Sequence, residues 1–325
     1  MTMSETGFYL DSFLAPLSPW LERQDVTDIY VNRPGEVWIE TIGGKTERHE
    51  NDALTEQLLP RLSRQLAAHG SQGISRAQPL LAATLPDGSR IQIVAPPATR
   101  AGHALAIRRH VKADFSLADW EASEAFDGLT EGNATIDQER KWNSVGERDA
   151  PAILTQAVRE RRNIIVSGGT SSGKTTFLNA LLAEIPAEER LVTIEDTEEL
   201  RIPHANSVGL IAARGKLAEA EVSTEDLLIA ALRMRPDRII LGELRGQEAF
   251  TFLRAVNTGH PGSMTTIHAD TPQRAIEQLA LLVLQAGSRL SRDDVRHYVR
   301  ESIDVFVQLE RRAGKRRVSQ VMVAA

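Results

Sequence analysis

Residues 163–176 read NIIVSGGTSSGKTT, an apolar run that gives way to small residues and then to one lysine set between a glycine and two threonines. Gly168, four residues, then Gly173, Lys174 and Thr175 fit G-x-x-x-x-G-K-[ST], the phosphate-binding loop. Glycines reach backbone angles other residues resist, so successive N–H groups can turn inward toward phosphate oxygens. A helix starting at the loop's end adds the positive pole of its dipole. The residues expected to line such a loop are Gly168, Gly169, Thr170, Ser171, Ser172, Gly173, Lys174, Thr175 and Thr176. Lys174 would meet the β- and γ-phosphates of ATP, and the Thr175 hydroxyl would meet Mg²⁺.

Binding is not hydrolysis. Something must hold the metal from the far side, orient a water and answer the charge that spreads over the γ-phosphate. Three later segments end in suitable side chains. RIILGE ends in Glu243, in the position of a metal-side acid, with Gly242 where an aspartate is usual; Glu243 is therefore expected to serve Mg²⁺ through a water. LVTIED ends in Glu195 and Asp196, adjacent carboxylates suited to aligning or deprotonating a water. SMTTIHA ends in His268, which as a lone histidine on a strand would ordinarily be packing, and as a neutral imidazole could sense a γ-phosphate.

These segments need elements to hold them. After residue 150 apolar strand patterns alternate with helical ones, as in βαβ units with a parallel sheet, whose ligands sit at the carboxyl ends of the strands. Helix starts are marked at Ser223 with Asp226, at Thr271 before Pro272, and at Ser291 with Asp294. VFVQLE and RVSQVMVA around Ala313-Gly314 predict a closing hairpin, and its tip RRAGKRR reads as a solvated turn. Before residue 112 the pattern is α+β. Strands at Asp28–Val31 and Val37–Glu40 flank an Asn-Arg-Pro-Gly turn, LLAATL and RIQIVA flank Pro86-Asp87-Gly88, and ALAIRR adds another strand. A helix with Leu58, Leu59, Leu62 and Leu66, with Pro60 asking for a kink or a later start, ends at Gly70, a candidate left-handed cap. Residues 113–150 carry ten acidic side chains against three basic ones, with Gly, Asn and Ser, and read as an acidic linker holding one short helix begun at Ser116 and Asp119. The expected division is thus 1–112, a linker over 113–150, and an ATPase domain over 151–325.

Composition sets limits. The 325 residues, 42% apolar and 25% charged, suffice for two domains with a core in each. A net charge of −6 argues against general affinity for nucleic acid. Without cysteine there is no disulfide, thiolate zinc site or catalytic thiol. No uncharged apolar run is long enough to span a bilayer, and the N-terminus lacks the layout of a secretory signal; both favour the cytoplasm or the inner face of a membrane.

Taken together, GGTSSGKTT, TIEDTEEL, LRMRPDRIILGELRG and NTGHPGSMTTIHA resemble the four nucleotide-site boxes of the secretion or traffic ATPases of type II secretion, type IV pili and type IV secretion. LAPLSPWLERQDVTDIYVNRPGEVWIE and LPDGSRIQIVAPP resemble the N-terminal domain of the VirB-type branch, which serves type IV secretion and conjugation. The type II relatives carry a four-cysteine zinc insertion, which this chain lacks. The resemblance implies a RecA-like C-terminal ATPase domain and a smaller N-terminal domain in a homohexamer. That ring would lie at the inner face of the cytoplasmic membrane, bound peripherally to inner-membrane components of a secretion channel and acting on a secreted protein or nucleoprotein. It strengthens His268 as a site residue and implies that arginines of the N-terminal domain, matched here by Arg90 and Arg108, close on the phosphates. Arg233, Arg235 and Arg245 also lie in the family pattern. The alternatives are a pilus, tight-adherence or type II motor, a nucleic-acid-dependent motor on the same core without sequence-specific binding, and a nucleotide-gated scaffold that does not hydrolyse.

Overall fold

The computed structural model describes residues 5–42, 44–70, 72–100, 102–109, 115–129, 132–134, 142–212, 222–312 and 314–324. These form two compact units, one from the described residues before position 112 and one from those after it.

The first unit opens with α1 (Glu5–Leu14), a 3₁₀ turn and α2 (Ser18–Leu21). It continues with β1 (Val26–Val31), β2 (Gly35–Thr41), β3 (Thr46–Asn51), α3 (Leu58–His69), β4 (Leu80–Thr84), β5 (Arg90–Val94) and β6 (Ala104–Arg108). The strands form one antiparallel sheet in the order β3-β2-β1-β6-β5-β4. Its apolar face (Ile29, Ile39, Ile93, Ile107) packs on Leu10, Leu14, Leu62 and Leu66 of the helices. Pro60 falls in the first turn of α3, where no helical N–H is needed, so the helix runs unbroken. Gly70 ends the helix but at φ −87°, so the expected left-handed cap is absent. β3 reads TERHEN and has no apolar signature, because an edge strand need bury little.

Strand register settles what the other face of this sheet presents. Glu40, Asp28, Arg108, Arg90 and Thr84 form one transverse row across five strands. Arg108 is paired with Asp28 at 3.1 Å, and Arg90 lies opposite Arg108. Like charges placed opposite each other on a sheet repel, and an anion between them would remove that cost.

The second unit begins with α4 (Leu117–Ala122), β7 (Gly132–Ala134), β8 (Trp142–Ser144), α5 (Ala150–Arg159), β9 (Ile164–Gly168) and α6 (Lys174–Leu182). Then come β10 (Leu191–Glu195), β11 (Ser207–Ile211), α7 (Thr224–Ala231), β12 (Arg238–Leu244), α8 (Glu248–Asn257) and β13 (Met264–Ile267). The last elements are α9 (Pro272–Gln285), α10 (Arg292–Ser302), β14 (Val305–Arg312) and β15 (Lys315–Ala324). One sheet runs β11-β10-β12-β13-β9-β14-β15-β8-β7, parallel from β11 through β14 and antiparallel beyond. Both faces are covered, so the inner strands β9, β10 and β13 are buried along their whole length rather than at alternate residues. Ile164 and Val166 of β9 pack with Leu154, Phe177 and Leu181 of α5 and α6. Ile165 packs on the opposite side with Phe252, Ile276 and Val295 of α8, α9 and α10. Capping boxes at Ser116, Ser223 and Ser291 start α4, α7 and α10, and the Thr271 hydroxyl caps α9.

The stretch read as an acidic linker is, where described, part of this unit. Trp120 and Phe126 are buried in the same core as Phe177, with ring centroids 5.0 and 6.3 Å from it. Val318 donates its N–H to Ala125, Val145 donates to Val321, and β8 pairs with β15. The acids that suggest a linker, among them Asp119, Glu121, Glu124 and Asp127, lie exposed outside this packing. Composition averages over faces, and an amphipathic segment with a charged outer face reads as linker. Ala313 of the closing hairpin and residues 135–141 lie outside the described residues. Phe126→Ala in the full chain is expected to destabilise by about 3–5 kcal/mol, read from urea unfolding; a change below about 1 kcal/mol would restore the linker reading.

Candidate active site

β9 is the central strand, and its carboxyl end runs straight into the glycine-rich loop. Ser171 at φ +59° and Gly173 at φ +96° give the loop its two left-handed residues, after which α6 starts at Lys174. The loop leaves no room at its base. A Cβ on Gly168 would come within 2.4 Å of Ser172 Oγ and 2.8 Å of the Leu309 carbonyl. Ser172 Oγ is itself buried without a hydrogen-bond partner among the described residues.

Lys174 folds back into this cradle. Its Nζ donates to the Gly168 and Gly169 carbonyls at 3.0 and 3.2 Å and lies 3.3 Å from His268 Nδ1 and 3.8 Å from Glu243 Oε1. Burial lowers its pKa; Glu243 works against that, and Arg245 adds to it. His268 Nε2 is 2.9 Å from Glu243 Oε1. Burial first, then the Lys174 charge, lower the His268 pKa, and so the imidazole is neutral. A neutral ring with its proton on Nε2 fits both contacts, donating to Glu243 and accepting from Lys174. Three residues far apart in the chain thus meet in one polar cluster.

A local irregularity makes room for Glu243. β12 and β13 pair Leu241 with Thr265, but Leu244 with Ile267, so β12 holds one extra residue beside the site. The Thr266 hydroxyl donates to the Gly242 carbonyl at 2.8 Å. A Cβ on Gly242 would lie 3.4 Å from Glu195 Cγ, an ordinary contact distance, so Gly242 borders Glu195 without being sterically required there. Arg245, two residues on, forks onto Glu243 and reaches Asp196 at 3.3 Å.

Glu195 and Asp196, neighbours in sequence, have different surroundings. Asp196 accepts from Arg245 and from the Thr224 hydroxyl. Glu195 is buried, and its Oε1 accepts the Glu199 and Leu200 backbone N–H groups at 2.8 and 2.7 Å. Burial outweighs those two bonds and pushes its pKa up to about 7. Such a value suits a group that gives and takes a proton near neutrality.

On the other side of β9 the C-terminal hairpin meets the loop. The Arg316 stem lies against Gly173, with Cδ 2.9 Å from where a Cβ would sit, and Arg316 Nη1 is 3.5 Å from Thr176 Oγ1. The hairpin tip is exposed, as expected for a solvated turn, and one of its arginines also rests on the loop. Arg316 lies 140 positions from Thr176, and no local pattern announces the meeting. Arg90 and Arg108 belong to the first unit, in the row described above.

A parallel sheet with helices on both faces and a glycine-rich loop on its central strand defines a RecA-like P-loop ATPase domain, here joined to a smaller α+β domain. The model of the family described as "Type II/IV secretion system protein" matches residues 12–316, and the chain belongs to that family. It is 39% identical to the type IV secretion system protein VirB11 of Bartonella henselae, over 95% of this chain and 91% of that one. It is 41% identical to the type IV secretion system protein PtlH of Bordetella pertussis, over 94% and 91%. The VirB11 ATPase of Brucella suis, solved in complex with sulphate, is 36% identical over 96% of each chain, with a TM-score of 0.50. The Legionella pneumophila ATPase DotB, 17% identical over 99% of this chain and 82% of its own, shares the fold at a TM-score of 0.61.

The Glu195 pKa has a thermodynamic consequence. Folding raises it from about 4.5 to about 7, so the folded state holds a proton that the unfolded chain has released. That contribution to stability is complete below about pH 4.5 and is lost as pH rises through about 7. Glu195→Gln should flatten the fall in Tm of the nucleotide-free protein across that window. An unchanged slope would place the titration elsewhere.

Proposed function

We propose that the protein is an Mg²⁺-dependent ATPase whose hydrolysis powers substrate translocation or pilus assembly by a type IV secretion system. The observation that carries this reading is the meeting of Lys174, Glu243 and His268 at the carboxyl end of the central strand, beside a loop shaped for phosphates. The donor set fits nucleotide and metal. An ion held by one or two protein oxygens and the substrate's phosphates needs only a hydroxyl and a carboxylate from the protein. Thr175 and Glu243 are the residues that would hold Mg²⁺, Glu243 through a water; when bound it neutralises charge on the phosphates.

The chain's own groups divide the remaining work. Lys174 exchanges the Gly168 and Gly169 carbonyls for β- and γ-phosphate oxygens, which leaves its charge matched. His268 stays neutral and reports the γ-phosphate through its ring nitrogens. Glu195, with its pKa near neutrality, orients the attacking water and takes its proton. Arg108 and Arg90 supply cation to the phosphates from the first unit. In the homohexamer we infer, nucleotide bound by one subunit is felt by its neighbour. VirB11 and PtlH relatives at 39% and 41% identity over nearly the whole chain support the type IV assignment over a pilus or type II motor. Among the described residues no helix is long and apolar enough to cross a membrane. The family membership is what supports a cytoplasmic ring docked peripherally on inner-membrane channel components and handing on a secreted protein or nucleoprotein.

Lys174→Ala should abolish hydrolysis in a phosphate-release assay and weaken ATP binding; turnover within a few-fold of the unaltered protein would remove the P-loop reading. Glu195→Gln should lower kcat by about 10²–10⁴ with little change in KM, and Arg108→Ala, as loss of an arginine finger, should lower it by about 10³–10⁵. A near-normal Glu195→Gln rate would move water activation to Glu243.

A further inference from the structure

The loop meets different chemistry on its two sides, and the order of the sheet makes those sides distinct. β13 and β12 lie on one side of β9, β14 and β15 on the other. Lys174 leans toward the first side, onto His268 after β13 and Glu243 of β12. Because the lysine marks the β/γ end of a bound nucleotide, the α-phosphate and the nucleoside beyond it must extend toward the second side. There the first turn of α6 turns Thr176 toward Arg316 of β15, whose guanidinium is 3.5 Å from the Thr176 hydroxyl and whose stem rests on Gly173. Arg316 pairs across the hairpin with Arg311, two cations opposite each other at the mouth of an anion site. Trp120 closes the same corner, its ring edge 3.3 Å from where a Gly173 Cβ would sit and stacked edge-on against Phe177.

We propose that Arg316 is a nucleotide-binding residue that holds the α-phosphate end of a nucleoside di- or triphosphate, with the C-terminal hairpin as a third wall of the phosphate site. This rests on the P-loop reading and adds to it a direction for the bound nucleotide. The guanidinium fork replaces its long contact to Thr176 with charge-assisted bonds to phosphate oxygens, and the Gly173 surface under its stem holds it in place. An α-phosphate is common to ADP and ATP. A contact there strengthens both alike, whereas one at the γ-phosphate strengthens ATP alone.

That difference is the test. Titration calorimetry on the full chain with Mg-ADP and with Mg-adenylyl imidodiphosphate should show Arg316→Ala weakening both about equally, by roughly tenfold or more, the scale of a charge-assisted hydrogen bond. Arg316→Lys, which keeps the charge and loses the fork, should recover part of the affinity. Binding of either nucleotide should also change the tryptophan emission, and Trp120→Phe should remove most of that change. Affinity left unchanged or raised in Arg316→Ala overturns the assignment, as does a loss confined to the triphosphate analogue. No binding by the unaltered protein overturns the P-loop reading and this one with it. Binding by the unaltered protein but not by Lys174→Ala, with Arg316→Ala indistinguishable from the unaltered chain, overturns this one alone.

Discussion

The polar site of the second unit is arranged around an ammonium group that has been drawn out of water. A buried lysine must find acceptors or give up its proton, and burial alone lowers the Lys174 pKa. Its charge is answered by two carbonyls of its own loop, a neutral histidine and a carboxylate. Those partners come from β9, β13 and β12, three adjacent parallel strands whose carboxyl ends lie level. The parallel sheet is what makes this possible, because only there do successive strands finish side by side. Phosphate oxygens can take over the carbonyls' role, since they offer the same acceptors with more charge.

The acids around that centre are set apart by their surroundings. Glu243 sits among cations, Lys174 and Arg245, with His268 beside them. Glu195 has no cation among its principal influences; burial and backbone N–H groups decide its proton. Gly242, next to Glu243 in the chain, borders Glu195, with a Cβ there 3.4 Å from Glu195 Cγ. Arg245 ties Glu243 to Asp196 and so links the ends of β12 and β10.

Much of this can be read from residue order alone. The loop, the strands that precede Glu195, Glu243 and His268, and the helix starts at Ser116, Ser223, Thr271 and Ser291 are set by local chemistry. Glycine spacing, apolar runs and capping side chains act over short stretches of chain, and each lies where its pattern puts it. The row of Arg90 and Arg108 is visible in the sequence only as two separate strand arginines, because register is a property of pairing. The acidic stretch misleads for a related reason: its charges face outward while Trp120 and Phe126 face in, and counting residues cannot separate the two.

The sequence by itself determined that a glycine-rich loop joins a strand to a helix and which side chains stand at the ends of strands, since those follow from neighbours along the chain. Tertiary structure alone decided which of them meet. The order β12-β13-β9-β14-β15 puts Glu243 and His268 on one side of Lys174, and an arginine from a hairpin 140 residues beyond Thr176 on the other. That order is a global solution to covering both faces of one sheet, and no segment carries it.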